Sequence, residues 1–132
     1  MASAAETVPN TPFHLLGGHD TFQAIVDRFY DLMDSDPAYA ELRAMHAGDL
    51  TRMRTELTRF LTGWAGGPRD WFEDNPGRCM MSVHKPYTIT QQVAGQWADA
   101  MTHAIADVAP ARADLAAQLT QLLGDLARGM GR

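Results

Sequence analysis

Apolar residues recur at steps of three and four along four stretches of the chain, the spacing that places side chains on one face of an α-helix. Polar residues fill the positions between them, and no alternating apolar and polar run of strand length is present. The pattern therefore predicts an all-α fold. The four stripes are Phe22, Ile25, Val26, Phe29, Tyr30 and Met33; Leu50, Met53, Leu57, Phe60, Leu61 and Trp64; Val93, Trp97, Ala100, Met101, Ala104, Ile105 and Val108; and Leu115, Leu119, Leu122, Leu123 and Leu126.

Residues that cap or break helices lie where these stripes begin and end. The segment 34–37 ends the first helix and starts a short helical segment from Pro37 to about Met45, because a side-chain oxygen caps a helix and proline suits its first turn. Asp49 is a plausible cap for the second long helix, and Thr88 or Thr90 for the third. Pro110 is expected to break the third helix.

The segment from Pro68 to Ile89 loses the helical spacing while Gly, Pro and Asn accumulate, so it predicts a loop with at most short helical turns. A simple up-and-down bundle does not need so long a connection. Three inward-facing positions also carry polar-tipped side chains, namely Tyr30, Trp64 and Trp97, whereas a plain bundle core favours Leu, Ile, Val and Ala. These features predict that something polar lies inside the fold.

Length and composition limit the class of protein. The 132 residues suit a single domain, which we expect over 13–128, with a disordered tail over 1–12 and a flexible end over 129–132. No apolar stretch is long enough to span a membrane and the amino terminus does not look like a secretion signal, so we expect a cytoplasmic protein. A net charge of −5 disfavours nucleic acid and anionic membranes as partners, and a single cysteine, Cys79, excludes an internal disulfide.

One segment carries a family resemblance. It runs Ser82-Val83-His84-Lys85-Pro86-Tyr87-Thr88-Ile89 and is followed, thirteen residues after the histidine, by Trp97. Together with further motifs in the right order, it makes the chain resemble the group II truncated haemoglobins over roughly residues 15 to 105. The further motifs are Gly17-Gly18, the run from Phe22 to Tyr30, Asp49-Leu50, the run from Phe60 to Pro68, and the run from Gln96 to Met101.

The resemblance implies a two-over-two helical sandwich that encloses haem b, with His84 as the proximal iron ligand. On the other side of the iron it implies a polar distal pocket formed by Tyr30, His46 and Trp97. A phenol or indole donor there stabilises a bound ligand that carries partial negative charge. The remaining pocket residues that the resemblance suggests are Phe29, Met53, Leu57, Phe60, Met81, Lys85, Tyr87, Ile89 and Met101.

Each of these residues also has a simpler interpretation. A lone histidine in a loop is usually exposed, and buried Tyr or Trp side chains often bond to backbone carbonyls. His46 is either a pocket residue, donating to the ligand, to Tyr30 or to a water, or a solvent-facing residue at a helix end. Met53 is either an apolar gate or a sixth iron ligand. The other histidines, His14, His19 and His103, are expected on the surface.

The chain departs from the family immediately before the proximal histidine. Group II members often carry arginines at the positions of Val83 and Met81, where they pair with a haem propionate. Lys85, Arg78 or Arg52 is expected to take that role here. Lysine offers a single charge where arginine binds a carboxylate at two points, so the anchoring of the propionates is looser or relocated.

The function that the resemblance implies is reversible binding of dioxygen, carbon monoxide and nitric oxide. A second hypothesis is a redox enzyme that oxidises nitric oxide or reduces peroxide, which would need an external reductase because no flavin or nicotinamide fingerprint is present. A third is a haem-free helical interaction module, which would have no visible absorption band. The pattern is compatible with a monomer or a homodimer.

Overall fold

The computed structural model describes residues 11–78, 84, 86–109 and 113–131, and the regular structure in this part of the chain is entirely helical. We number the helices along the chain, with a single 3-10 turn at Pro37–Tyr39 directly before α3. The bounds are α1 Pro12–Leu15, α2 His19–Ser35, α3 Ala40–Ala44, α4 Thr51–Trp64, α5 Asp70–Asp74, α6 Gln91–Val108 and α7 Ala113–Met130. The all-α prediction is confirmed for these residues.

The helices begin close to the predicted caps. The Thr90 hydroxyl accepts from the backbone N–H of Val93 at 3.1 Å and so caps α6, which leaves Thr88 outside the helix. At α4 the N-cap residue is Leu50, which makes no side-chain capping bond, and the predicted cap Asp49 lies one residue earlier, where its carboxylate accepts from the N–H of Thr51 at 2.9 Å. These bonds supply partners for N–H groups that a helix start leaves without one.

The structure extends the predicted elements at two places. Within the segment 68–89, for which at most short helical turns are predicted, residues Asp70–Asp74 form the short helix α5. Helix α7 continues to Met130, two residues beyond the boundary expected at 128. The predicted break at Pro110 and most of the predicted tail, residues 1–10, lie outside the described residues.

The four long helices form two pairs. Helix α6 packs along α7, α2 packs against α4, and α2 also crosses α6. On α6 the contact face carries Ala100 and Ala104, both fully buried, and small side chains let neighbouring helices approach closely. Larger fully buried side chains, including Phe22 and Ile25 of α2, fill the space between the pairs.

The first helix is fixed against the end of α4. The N–H of Phe13 donates to the carbonyl of Ala65 at 3.0 Å, and the Phe13 ring lies over Gly67. A Cβ atom at Gly67 would lie 2.7 Å from that ring, so only glycine permits this approach. Among the described helices, none is long and apolar enough to cross a bilayer.

Candidate functional site

A cavity of about 510 Å³ opens between α2, α4, α6 and α7 and reaches the segment that carries His84. Its volume lies within the range of small-molecule and cofactor sites, which are concave and lined mostly by apolar side chains with a few polar groups. The four residues that sequence reasoning gave the main roles, His84, Tyr30, His46 and Trp97, all line this one cavity.

His84 contributes a half-buried imidazole to the cavity wall. Its carbonyl accepts from the N–H of Tyr87 at 2.9 Å, which closes a turn around Pro86. Proline restricts the backbone of the residue before it, so this turn limits the directions in which the chain can leave His84. The backbone that carries the imidazole is therefore conformationally restricted. The imidazole itself is half-buried, whereas an isolated loop position predicts an exposed histidine.

Tyr30 extends from α2 into the cavity and is only 2% exposed. Its ring meets those of Phe29 and His46 edge to face, with centroid separations of 4.9 and 5.9 Å. Among the described residues no acceptor lies within hydrogen-bonding distance of its hydroxyl. Burial raises the pKa of this hydroxyl, and the positive charge of Arg54 opposes that shift. Tyr30 is thus a neutral phenol whose O–H is available to a molecule in the cavity.

His46 is half-buried, and one of its ring nitrogens already has a protein partner. Its Nδ1 lies 2.9 Å from the carbonyl oxygen of Leu42. Because a carbonyl only accepts, Nδ1 carries the hydrogen and donates it. The N–H of the same Leu42 donates to Gln96 Oε1 of α6 at 3.1 Å, which holds this backbone in place.

The environment of His46 favours its uncharged form. Burial lowers the pKa of the imidazole most strongly. The Leu42 bond opposes this shift, whereas the positive charge of Arg43 adds to it. In a neutral imidazole with hydrogen on Nδ1, Nε2 can only accept a hydrogen bond. His46 can therefore donate a hydrogen bond from Nε2 only when its imidazole is protonated.

Trp97 completes the polar set from α6. Its half-buried indole lines the cavity, and its ring centroid is 5.2 Å from that of Phe29. The Phe29 ring lies against both Tyr30 and Trp97. Phe29 therefore packs against the rings of both Tyr30 and Trp97 from the core of the protein.

The expected apolar wall is present at most of the positions suggested. Met53, Leu57, Phe60, Tyr87 and Ile89 line the cavity.

Two residues expected at that wall do not line the cavity. Phe29 and Met101 are at most 1% exposed and belong to the packed core behind the wall. The inner face of a helix is wide enough to contact both a neighbouring helix and a cavity, and the spacing of apolar residues does not separate the two. Met81 and Lys85 lie outside the described residues.

The cavity also uses residues that sequence reasoning missed. Trp71 of α5 lines it, and the ring of Trp71 packs edge to face on Phe60 at 5.2 Å. The side-chain amide of Asn75 donates to the Trp71 carbonyl at 2.7 Å, which closes the turn from Trp71 to Asn75. An aromatic pair inside an otherwise irregular segment, Trp71-Phe72, was the available signal. Helix α7 adds Leu123, Leu126, Ala127 and Met130.

The lining of the cavity includes charged side chains of both signs, because Glu56, which pairs with Arg59, lines it together with two arginines. Arg52 and Arg78 line it with exposed side chains, and both were expected as alternatives to Lys85 for binding a carboxylate. Met53 and Tyr87 remain 38% and 55% exposed at the same opening. A molecule with an apolar body and an anionic end matches this distribution of side chains.

Comparisons with known proteins agree with this geometry. Residues 11–130 match the family model described as "Bacterial-like globin". The group 2 truncated hemoglobin YjbI of Bacillus subtilis is 29% identical over 96 residues, which span 73% of this chain and 70% of that protein.

Solved structures show the same fold. A cold-adapted truncated hemoglobin of the Antarctic marine bacterium Pseudoalteromonas haloplanktis TAC125 has a TM-score of 0.87 and 34% identity, over 93% of this chain and 98% of its own. A group II 2-on-2 hemoglobin of Agrobacterium tumefaciens has a TM-score of 0.88 and 27% identity, over 94% and 95%. The two-over-two fold and the resemblance stated from the sequence are confirmed.

Proposed function

Since the chain belongs to the bacterial-like globin family, whose members are haem-binding globins, we propose that its cavity holds haem b on His84 and binds dioxygen and other diatomic ligands reversibly. The observation that carries the proposal is the convergence on one apolar cavity of an imidazole, His84, with three polar side chains from other elements, Tyr30, His46 and Trp97. A haem-free helical bundle has no use for such a set.

The residues of the cavity fit the cofactor. A porphyrin needs apolar walls, its iron needs a neutral imidazole, and its propionates need cations at the opening. Leu57 and Phe60 are among the wall residues that would contact the porphyrin, and His84 would bind the iron. Arg52 and Arg78 are the described cations at the rim that would pair with propionates.

When bound, haem supplies a ferrous iron that takes up a diatomic ligand and gives it partial negative charge. Tyr30 would donate a hydrogen bond to that ligand from its phenol O–H, which has no partner among the described residues. Trp97 would donate one from its indole N–H. A hydrogen bond to a charged acceptor is about twice as strong as one between neutral groups. These two side chains would therefore slow the loss of the ligand.

His46 has the complementary role. Because its Nδ1 donates to Leu42, its neutral Nε2 is an acceptor within the same cavity. It would hold a water molecule while the cavity contains no ligand. Protonation of His46 would add a third donor.

The first test is the visible spectrum of the haem-loaded protein, ferric and ferrous, with and without carbon monoxide. We expect a strong Soret band that shifts on addition of carbon monoxide. His84→Gly should lose the ferrous coordination of the native protein, and added imidazole should restore it by replacing the missing ligand. His103→Gly is the matched control, because His103 lies on the exposed face of α6 and does not line the cavity.

Three results would contradict the proposal. They are failure to bind haem in a one-to-one ratio, a His84→Gly spectrum identical to that of the native protein, and equal effects of His84→Gly and His103→Gly. Failure to bind haem would favour the helical interaction module. Far-ultraviolet circular dichroism of each variant distinguishes loss of the ligand from loss of the fold.

A further inference from the structure

Arg54 connects the helix that carries Tyr30 to the helix that forms the cavity wall. It lies on α4, one residue after Met53 and three before Leu57, both of which line the cavity. Its guanidinium reaches across to α2, donating to the carbonyl and carboxylate oxygens of Asp27 at 3.1 and 3.2 Å, and to the Asp31 carboxylate at 2.9 Å. The side chain is only 26% exposed.

The two acids that bind Arg54 both lie close to Tyr30 on α2. Asp27 precedes Tyr30 by three residues and Asp31 follows it directly, so both acids that bind the guanidinium lie within one helical turn of the tyrosine. Its central carbon lies 5.8 Å from the centroid of the Tyr30 ring, within the range of a cation–π contact. The two ion pairs therefore hold the guanidinium beside a phenol that lines the cavity.

We propose that Arg54 is a positioning residue for Tyr30, fixing the orientation of its ring and strengthening the hydrogen bond that its hydroxyl donates into the cavity. This inference rests on the proposed function for the ligand that receives the bond. It adds a residue that does not itself line the cavity.

The physical basis is the charge on the phenol oxygen. When a phenol donates to a negatively charged acceptor, negative charge builds up on its own oxygen, and a nearby cation stabilises that charge. Tyr30 is 2% exposed, so water screens its interaction with the guanidinium only weakly. The side chains of Asp27 and Asp31 are 45% and 59% exposed, so water screens their opposing charges more strongly.

The chain offers a matched control for Arg54. Arg59 lies on the same helix and also pairs with two acids, Glu56 at 3.0 Å and Asp74 of α5. Its side chain is 30% exposed, close to the value for Arg54. Arg59 does not line the cavity and makes no ring contact with Tyr30, although its partner Glu56 does line the cavity. Arg59→Met therefore removes a comparable ion-pair network without removing the charge beside the phenol.

The experiment compares Arg54→Met, Arg54→Lys and Arg59→Met in the haem-loaded protein, with Arg54→Gln as a second uncharged variant in case the methionine variant does not fold. The first readout is the Cζ resonance of Tyr30 in ferrous, carbon monoxide-bound protein labelled with 13C-tyrosine, assigned by its loss in Tyr30→Phe. The second readouts are the stretching frequency of bound carbon monoxide and the rate of dioxygen loss. The rate is also measured in the double variant Tyr30→Phe/Arg54→Met.

We expect Arg54→Met to shift the Tyr30 resonance and the stretching frequency, and to speed dioxygen loss roughly two- to fivefold, the range of an exposed or partly buried cation–π contact. Arg54→Lys should restore much of this effect because it keeps the charge, and Arg59→Met should have none. In the Tyr30→Phe background, Arg54→Met should add no further change, because the phenol through which it acts is gone.

The inference is overturned if folded Arg54→Met leaves the resonance unchanged, if Arg59→Met shifts it equally, or if the effect on the rate persists without the Tyr30 hydroxyl. Failure of the proposed function gives a different result. In that case Tyr30→Phe leaves dioxygen loss unchanged while Arg54→Met still shifts the Tyr30 resonance. This combination of an unchanged rate and a shifted resonance would support the contact between Arg54 and Tyr30 and reject Tyr30 as the donor to the ligand.

Discussion

Removing the hydroxyl of Tyr30 is the most direct test of the distal site. Tyr30→Phe keeps the ring, and with it the edge-to-face contacts at 4.9 Å to Phe29 and 5.9 Å to His46. It deletes only an O–H that has no partner among the described residues. The packing of α2 should therefore stay intact, and the free energy of unfolding should change by less than about 0.5 kcal/mol, as for a substitution that breaks no protein contact.

The effect on ligand binding should be much larger. The lost bond is one from a neutral donor to an acceptor with partial negative charge, which contributes about 1.5–3 kcal/mol. If the whole of this contribution appears in the dissociation step, the rate of dioxygen loss rises by about one to two powers of ten. The rate of ligand entry should change less, because the hydrogen bond forms after the ligand has reached the cavity.

Stopped-flow displacement of dioxygen by excess carbon monoxide measures this rate. Tyr39→Phe is the matched control, since Tyr39 is also 2% exposed but donates to Asp99 at 2.7 Å and does not line the cavity. That variant should lose about 1.5–3 kcal/mol of stability, because its hydroxyl donates to a charged carboxylate, and it should keep native ligand kinetics. The two tyrosines should thus show opposite combinations of stability and kinetics.

An unchanged rate in Tyr30→Phe would refute the assignment of this hydroxyl as the donor. Equal acceleration in Tyr39→Phe would also refute the reasoning, because it would mean that any buried phenol on these helices affects the rate through general loosening of the fold.

Three further predictions concern other parts of the molecule. Trp97→Phe should speed dioxygen loss by roughly tenfold in the same assay, and an unchanged rate would remove the indole from the distal site. Burial lowers the pKa of His46, so as pH falls below about 6.5 the unfolded chain takes up a proton that the folded chain resists, and the free energy of unfolding decreases. Denaturant titrations at several pH values should show a smaller decrease for His46→Gln, and parallel curves would contradict this. Gly67→Ala should cost about 1–3 kcal/mol because its Cβ would lie 2.7 Å from the Phe13 ring. Gly95→Ala, in open space within α6, should gain about 0.5–1 kcal/mol, and equal shifts of the two would refute the packing argument.

Local rules predicted the long helices well because those rules act over a few residues. Thr90 caps the start of one helix, and glycines follow the end of another at Trp64. A helix needs such residues at its ends regardless of the elements against which it packs. Helix α5 lacked such signals. Its five residues, Asp70–Asp74, are too few to show a period, and its position depends on the contact of Trp71 with Phe60.

The cavity was predictable only where the resemblance supplied it. Periodicity placed Phe29 and Leu57 alike on inner faces, yet Leu57 borders the cavity and Phe29 packs behind it. That difference depends on the direction of each helix relative to its neighbours, which no local pattern encodes. The tautomer of His46 depends likewise on the position of the Leu42 carbonyl, four residues earlier, in a helix of only five residues.

The cavity wall is assembled from distant parts of the chain. Its lining runs from Tyr30 on α2 to Met130 on α7, and Leu123 and Ala127 form part of the side nearest that last helix. During synthesis the chain emerges from the ribosome in order, so α7 docks after α2, α4 and α6 have been made. Until then one wall is absent and the apolar interior faces water. A cofactor that binds only the closed form would therefore favour the docking of α7, since a ligand that binds one form of a protein stabilises that form.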